Sequence, residues 1–311
     1  MSKISFLGIV CLFAVILATL NTSRLQGATT EVKMEDILSS YLASIGDAKA
    51  RAAIKSRVVE GTTQFNVLTG GAGRATDGTS VLVSEGHMLQ LMMKFANSNY
   101  LGERFICDGN KVSVAPATDT RTRSNFGQFV YIQDILLREG LLGGELTTAW
   151  PLLEVDERKP KLTYDGLKTI DGKQLHEVQY KPMKGGQDVQ IRLYFDPESY
   201  HHVRTVYNLA IQAQLAQGGG SSSSPVPEFG GPLSQPASAE ASQSRQQQTR
   251  YSVEERFDDF KMVDGLTLPN HYTIHFTQEL PSGTTTILDW DTKATRIVEN
   301  PELDPRNFHV K

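Results

Sequence analysis

The chain has 311 residues, a formal net charge of −4, 39% hydrophobic residues and 26 glycines. That length allows one large or two ordinary domains with a substantial core. The near-balance of charge excludes the basic footprint of a nucleic-acid binder, so no nucleic-acid partner is expected.

The N-terminus reads as an export signal. Lys3 gives a short positive start, Ile4 to Leu20 is an almost unbroken apolar run, and Asn21 to Ala28 turns polar and small. The pattern predicts a signal peptide over 1–28, cleaved between Ser23 and Ala28, and a periplasmic mature chain over 29–311. An uncleaved inner-membrane anchor is the alternative, since about 17 apolar residues just span a bilayer. With the leader gone only Cys107 remains, which excludes an internal disulfide and suits a small buried hydrophobe.

Glu31 to Ile54 has helical spacing, with Met34, Ile37, Leu38, Tyr41, Leu42 and Ile45 on one face and a break at Gly46-Asp47. From Val58 the period changes to two. Phe65 and Val67 share a face, as do Leu89, Leu91, Met93 and Phe95, while Met88, Met92 and Met93 add pliable surface. Glu103 to Cys107 and Lys111 to Val114 flank the turn Asp108-Gly109-Asn110, so this half is a strand meander.

Phe126 to Leu153 breaks the pattern. Tyr131 to Glu139, with Ile132, Ile135 and Leu136, is spaced as a helix, and Gly140 and Gly143-Gly144 end it. This greasy insertion is the candidate cover for the apolar face of a sheet.

Strands resume over Lys161 to Ile211, turned at Asp171-Gly172, Gly185-Gly186 and Asp196-Pro197-Glu198-Ser199. Here Ile191, Leu193 and Phe195 alternate with Arg192 and mark an apolar face. Residues 217–248 are rich in Gly, Ser, Pro and Gln and are predicted to be a disordered loop inside the single domain. Val253 and Phe257, then Tyr272, Ile274 and Phe276, alternate in two further strands. Thr284 to Trp290 and Lys293 to Ile297 are the last strand candidates, and Leu303 to Phe308 is a turn that plugs Phe308 into an edge.

Chemistry is not legible. His201 and His202 are adjacent and face opposite ways on a strand, and His271 and His275 share a face with threonines, which points to solvent. Glu254-Glu255 and Asp258-Asp259 read as a solvated strand face. No H-E-x-x-H, Cys-x-x-Cys, G-x-S-x-G or Walker-type loop occurs, so no enzyme, metal site or cofactor is expected.

Three local phrases, 192–199 (RLYFDPES), 260–269 (FKMVDGLTLP) and 303–308 (LDPRNF), together with the order leader, helix, meander, insertion and further strands, carry a resemblance. The chain resembles the LolA/LolB-type lipoprotein-carrier superfamily, specifically its outer-membrane lipoprotein-sorting proteins, over 33–311 apart from the 217–248 loop. The resemblance implies an α+β fold: a strongly curved antiparallel sheet, a half-barrel, with helices covering its concave face. It also implies a periplasmic, non-enzymatic carrier or binder of lipoprotein acyl chains or other hydrophobic ligands, acting as a monomer in outer-membrane lipoprotein sorting. An envelope sensor or protein-interaction module, with an envelope protein as partner, is the alternative. The family's cavity arginine is matched to no particular residue here. The candidate cavity residues are Phe65, Val67, Leu89, Leu91, Met93, Phe95, Ile132, Ile135, Leu136, Ile191, Leu193 and Phe195.

Overall fold

The structure, a computed structural model, describes residues 32–69, 73–97, 100–117, 123–186, 188–212 and 248–310. The leader lies outside the described residues, and so does the 217–248 loop except for Gln248, which pairs with Gln212 in the sheet.

The chain enters through two helices, α1 (Met34–Ile45) and α2 (Ala48–Ala53). In α1, Ile37, Tyr41 and Ile45 recur one turn apart and are buried. The Asp47 side chain accepts the Ala50 N–H at 2.7 Å and so starts α2 where the sequence breaks.

Twelve strands follow. The first five are β1 (Ser56–Val67), β2 (Gly73–Glu85), β3 (Met88–Lys94), β4 (Gly102–Cys107) and β5 (Val112–Pro116). The other seven are β6 (Lys161–Ile170), β7 (Lys173–Lys181), β8 (Gln190–Phe195), β9 (His202–Gln212), β10 (Gln248–Val263), β11 (Leu266–Glu279) and β12 (Thr285–Glu299). They form one antiparallel sheet in the order β5-β4-β3-β2-β1-β12-β11-β10-β9-β8-β7-β6. Each half is a meander, and the halves join where β1 pairs with β12, for example Phe65 opposite Trp290. The sheet is open, with β5 and β6 at its edges. The last strand is continuous where the sequence suggested two segments. Its polar middle is held by Thr292, whose hydroxyl donates to that of Thr63 at 2.9 Å.

Between the edge strands runs the insertion: α3 (Asn125–Ile132), α4 (Ile135–Arg138), two 3₁₀ turns at Gly144–Leu146 and Pro151–Glu154, and α5 (Val155–Arg158). The single helix expected over 131–139 is two. Ser124 starts α3 earlier by accepting the Gly127 N–H at 3.0 Å. The break at Gln133 then lets Ile135, Leu136 and Leu137 all be buried. Three consecutive apolar residues point to different sides of one straight helix.

The insertion lies in the curl of the sheet. The Phe126 ring of α3 is 5.3 Å from Phe105 on β4 and 5.8 Å from Phe276 on β11. Those strands are five places apart in the sheet order, about 24 Å on a flat sheet at a spacing near 4.8 Å. Only a sheet wrapped around α3 brings both to one ring. Among the described residues no helix is long and apolar enough to cross a membrane.

Candidate functional site: the covered inner face

Eleven of the twelve residues expected to line a cavity face inward, and they are packed. Phe65, Leu89, Leu91, Met93, Phe95, Ile135, Leu136, Ile191, Leu193 and Phe195 are buried in one core cluster, and Val67 is half-buried against it. Ile132 is the exception: it is 48% exposed at the outer end of α3, beside equally exposed Tyr131. The helix buries Phe126, Phe129 and Val130 instead, so Ile132 falls on its far side. Met88 and Met92 also differ from expectation. They have the opposite parity to buried Met93 and are only half-buried.

What fills the curl is the insertion, with Phe126, Phe129, Leu141, Leu142, Leu146 and Trp150 buried. Polar contacts fasten this apolar cover at fixed points, and each uses a sheet residue on the inner face. On β4, Glu103 accepts the Ser124 N–H at 3.0 Å and the Ser124 hydroxyl at 2.7 Å, holding the start of α3. Gly127 is required there, because a Cβ would lie 1.9 Å from the Glu103 carboxylate. On β10, Glu255 accepts the Gly143 N–H at 2.8 Å and the Tyr207 hydroxyl at 2.6 Å, as well as the Tyr272 hydroxyl. On β1, Arg57 donates to the Glu145 main-chain carbonyl at 2.5 Å and pairs with Glu299 at 2.7 Å.

From the cover side, Glu145 accepts the Tyr41 hydroxyl at 2.7 Å, and that hydroxyl accepts the Trp150 indole N–H at 2.7 Å, which ties α1 to the insertion. Burial pushes Glu145 up to about 8, against the opposing pull of Tyr41 and Arg57. Burial likewise raises Glu255 to about 7, opposed by its tyrosine and Gly143 partners, and raises Glu103.

Glu255 corrects the sequence reading. The sequence puts it on a solvated face with Glu254, yet it is fully buried. Period two puts residues 253, 255 and 257 on one side, so Glu255 belongs with Val253 and Phe257. Arg57 and Glu103 carry the same signal, since they share parity with buried Val59 and Phe105.

The histidines separate by environment. His202 is wholly buried, stacked on Trp150 with ring centroids 4.9 Å apart and bonded to the Thr205 hydroxyl at 2.8 Å. His271 and His275 sit on the partly solvated face as expected, but with carboxylate partners: Asp258 and Asp291 for the first, Asp289 for the second. His87, isolated in sequence, meets Glu154 at 2.6 Å, and with Glu157 it forms a group whose ligand atoms lie within 4.8 Å. Cys107 is fully buried, and burial raises its thiol pKa, which disfavours the thiolate a nucleophile needs.

Two cavities adjoin the packed face. One, of about 280 Å³, is lined by Phe65, Val67, Ala75, Tyr100 and Leu288 beside the start of α3. The other, of about 290 Å³, lies between α2, the start of β1 and the cover.

No family model and no curated protein matches the sequence. The chain is similar in structure to a lipoprotein-sorting domain. That domain, named for outer membrane lipoprotein sorting and from Vibrio parahaemolyticus, is 8% identical with a TM-score of 0.37, over 87% of this chain and 95% of that one. A DUF1329 family protein from Desulfovibrio piger is 11% identical with a TM-score of 0.37, over 88% and 96%. The Mycobacterium tuberculosis lipoprotein LppX is 14% identical with a TM-score of 0.23, over 57% and 90%. At these scores the likenesses carry nothing about what this chain binds.

Proposed function

We propose that this chain is a periplasmic, non-enzymatic binder of acyl chains, those of lipidated proteins or of similar hydrophobic ligands, held between the sheet and a cover that lifts. The observation that supports this reading is the fastening. A largely apolar inner face is closed by a largely apolar segment, and the points of attachment are discrete hydrogen bonds to a few buried charged side chains.

An entering acyl chain would exchange one apolar partner of the sheet for another, so hydrophobic burial is nearly balanced between closed and filled states. The bias towards closure then rests on contacts such as Glu255 with Gly143, each contributing roughly 1–3 kcal/mol. A chain of about a dozen CH₂ groups gains roughly 10 kcal/mol on leaving water, enough to offset several of them. The cavity beside Phe65 and Val67 supplies a place for entry at one end of the face.

Native mass spectrometry of protein purified from its own periplasm, with titration of a fluorescent fatty acyl probe, tests the proposal. Ligand adducts and saturable probe binding are expected. Ligand-free protein that also leaves the probe unbound refutes it.

One observation favours a second reading, contact with a protein partner. Tyr131 and Ile132 lie together on the cover and are each 48% exposed. Crosslinking from position 132 in whole cells would capture such a partner.

A further inference from the structure

Eight neighbouring strands meet along one rim of the sheet, where β1, β11, β9 and β7 stop and β12, β10, β8 and β6 start. The register fixes the level of that rim. The Leu68 N–H donates to the Ile287 carbonyl at 3.0 Å, Arg250 stands opposite Glu279, Gln248 opposite Gln212, and Lys161 opposite Lys181. The end of α3 lies here too. Asn125 donates to Gln278 at 2.6 Å, and a Cβ on Gly186, in the turn after β7, would lie 3.1 Å from the Ile135 side chain. Among the described residues, six of the nine exposed large apolar side chains collect at this rim: Leu68, Tyr131, Ile132, Met183, Ile211 and Leu280. Exposed apolar residues scattered singly need no explanation, but a gathering along one edge marks a contact surface.

The same rim is basic, on a chain whose net charge is −4. Asp134 is paired with Arg138 at 2.6 Å and Glu279 with Arg250 at 3.8 Å, which leaves Asp188 as the unpaired carboxylate among the described residues of these turns. Against it stand Lys161, Lys181, Lys184 and Arg123, which form no ion pair among the described residues. Lys161 and Lys181 face each other directly across β6 and β7, a like-charge pairing that is unfavourable alone and is relieved beside an anionic surface. Met183, 60% exposed, lies between Lys181 and Lys184, so an apolar tip is flanked by two cations.

We infer that this rim docks on an anionic phospholipid bilayer, with Met183, Ile211 and Leu280 entering the acyl boundary and Lys161, Lys181, Lys184 and Arg123 at the phosphates. Long basic side chains bury their stems and keep their charge at headgroup level, which suits this mixture of grease and cations. The lysines decide between a bilayer and a protein partner, because lysine is depleted from protein interfaces and drawn in by phospholipid phosphates. The cavity beside Phe65, Val67 and Leu288 lies at the same rim, so docking would bring it next to the bilayer. Docking needs no bound acyl chain, so it and the acyl-binding reading can fail separately.

The test is co-sedimentation of the mature chain, residues 29–311, with phosphatidylcholine vesicles and with mixed phosphatidylcholine–phosphatidylglycerol vesicles, at low and high salt. Binding to the anionic vesicles is expected, and it should weaken as salt screens the cations. Lys181→Gln with Lys184→Gln should lose about tenfold or more, since each cation near an anionic surface is worth about fivefold. Met183→Ser with Leu280→Ser should also weaken binding. Met262→Ser, at the far end of β10 and 69% exposed, should leave it unchanged. All these side chains are exposed, so the fold is kept. Cys107 is buried, which lets a solvent-sensitive fluorophore be placed selectively on Met183→Cys or Met262→Cys. Vesicles should shift the first to the blue and leave the second alone. Absent binding to anionic vesicles, equal binding to phosphatidylcholine alone, or indifference to both double variants would overturn the inference. Capture of a protein from position 132 without vesicle binding would overturn it too, and would assign the rim to a protein partner.

Discussion

Glu255 on β10 accepts the main-chain N–H of Gly143 in the cover at 2.8 Å, a contact between residues 112 positions apart in the chain. It is a buried carboxyl at the point where sheet and cover meet. Two tyrosine hydroxyls complete its shell.

That position makes stability depend on pH. Burial lifts Glu255 from 4.5 to about 7, so between those values the folded chain holds a proton that the unfolded chain has released. The stability this group contributes is whole below about pH 4.5 and is lost as pH rises through about 7, on the order of 3 kcal/mol in all. Glu145 acts in the same direction up to about 8. Urea midpoints should therefore fall between about pH 5 and pH 8, and Glu255→Gln should flatten part of that slope. An unchanged slope in the variant would assign the effect elsewhere.

His202 works with the opposite sign. Burial among aromatic rings lowers it from 6.5 to about 3, so below about 6.5 the unfolded chain takes a proton that the folded chain refuses. Its contribution is present above pH 6.5 and is lost as pH falls through about 3, on the order of 5 kcal/mol. His202→Phe should be less acid-sensitive than the parent in thermal melts from pH 7 down to about pH 4.

The Arg57–Glu299 pair is buried on both sides, with 3% of each side chain exposed. Arg57→Met strands the Glu299 carboxyl and frees the Glu145 carbonyl, at an expected cost of about 3–5 kcal/mol. Adding Glu299→Gln to it should recover a good part, because the charge left unpaired is then gone. A double-mutant cycle in urea reads the coupling directly, and a cycle showing additivity would contradict it.

Trp150 offers a reporter of the cover. Both tryptophans are almost completely buried, Trp150 in the insertion and Trp290 in β12. In a Trp290→Phe background, emission comes from Trp150 alone and should shift to the red when an acyl ligand lifts the cover. Saturable ligand binding with unchanged emission would place the ligand somewhere other than under Trp150.

Much of the fold is legible in the sequence, and the two departures from it each have a local cause. Period two along β3, β8 and β11 identified Leu89 to Phe95, Ile191 to Phe195 and Tyr272 to Phe276 as one buried face, because strand geometry is local. The acidic neighbours of Glu255 point it to solvent, although its parity with Val253 and Phe257 places it inside. Helical spacing carried through Gln133 points Ile132 inward, but the chain leaves the helix there.

The sequence by itself determined which residues would be strand, which segment would interrupt them, and which side of each strand would be apolar. Those properties follow from side-chain spacing and turn chemistry within a few residues. Only the tertiary structure decided how that face is used. The curl that brings Phe105 and Phe276 to one Phe126 ring, and the contact of Glu255 with Gly143, join parts of the chain that no local period connects. Whether an apolar face is open or filled depends on what is folded against it, and here its own insertion fills it.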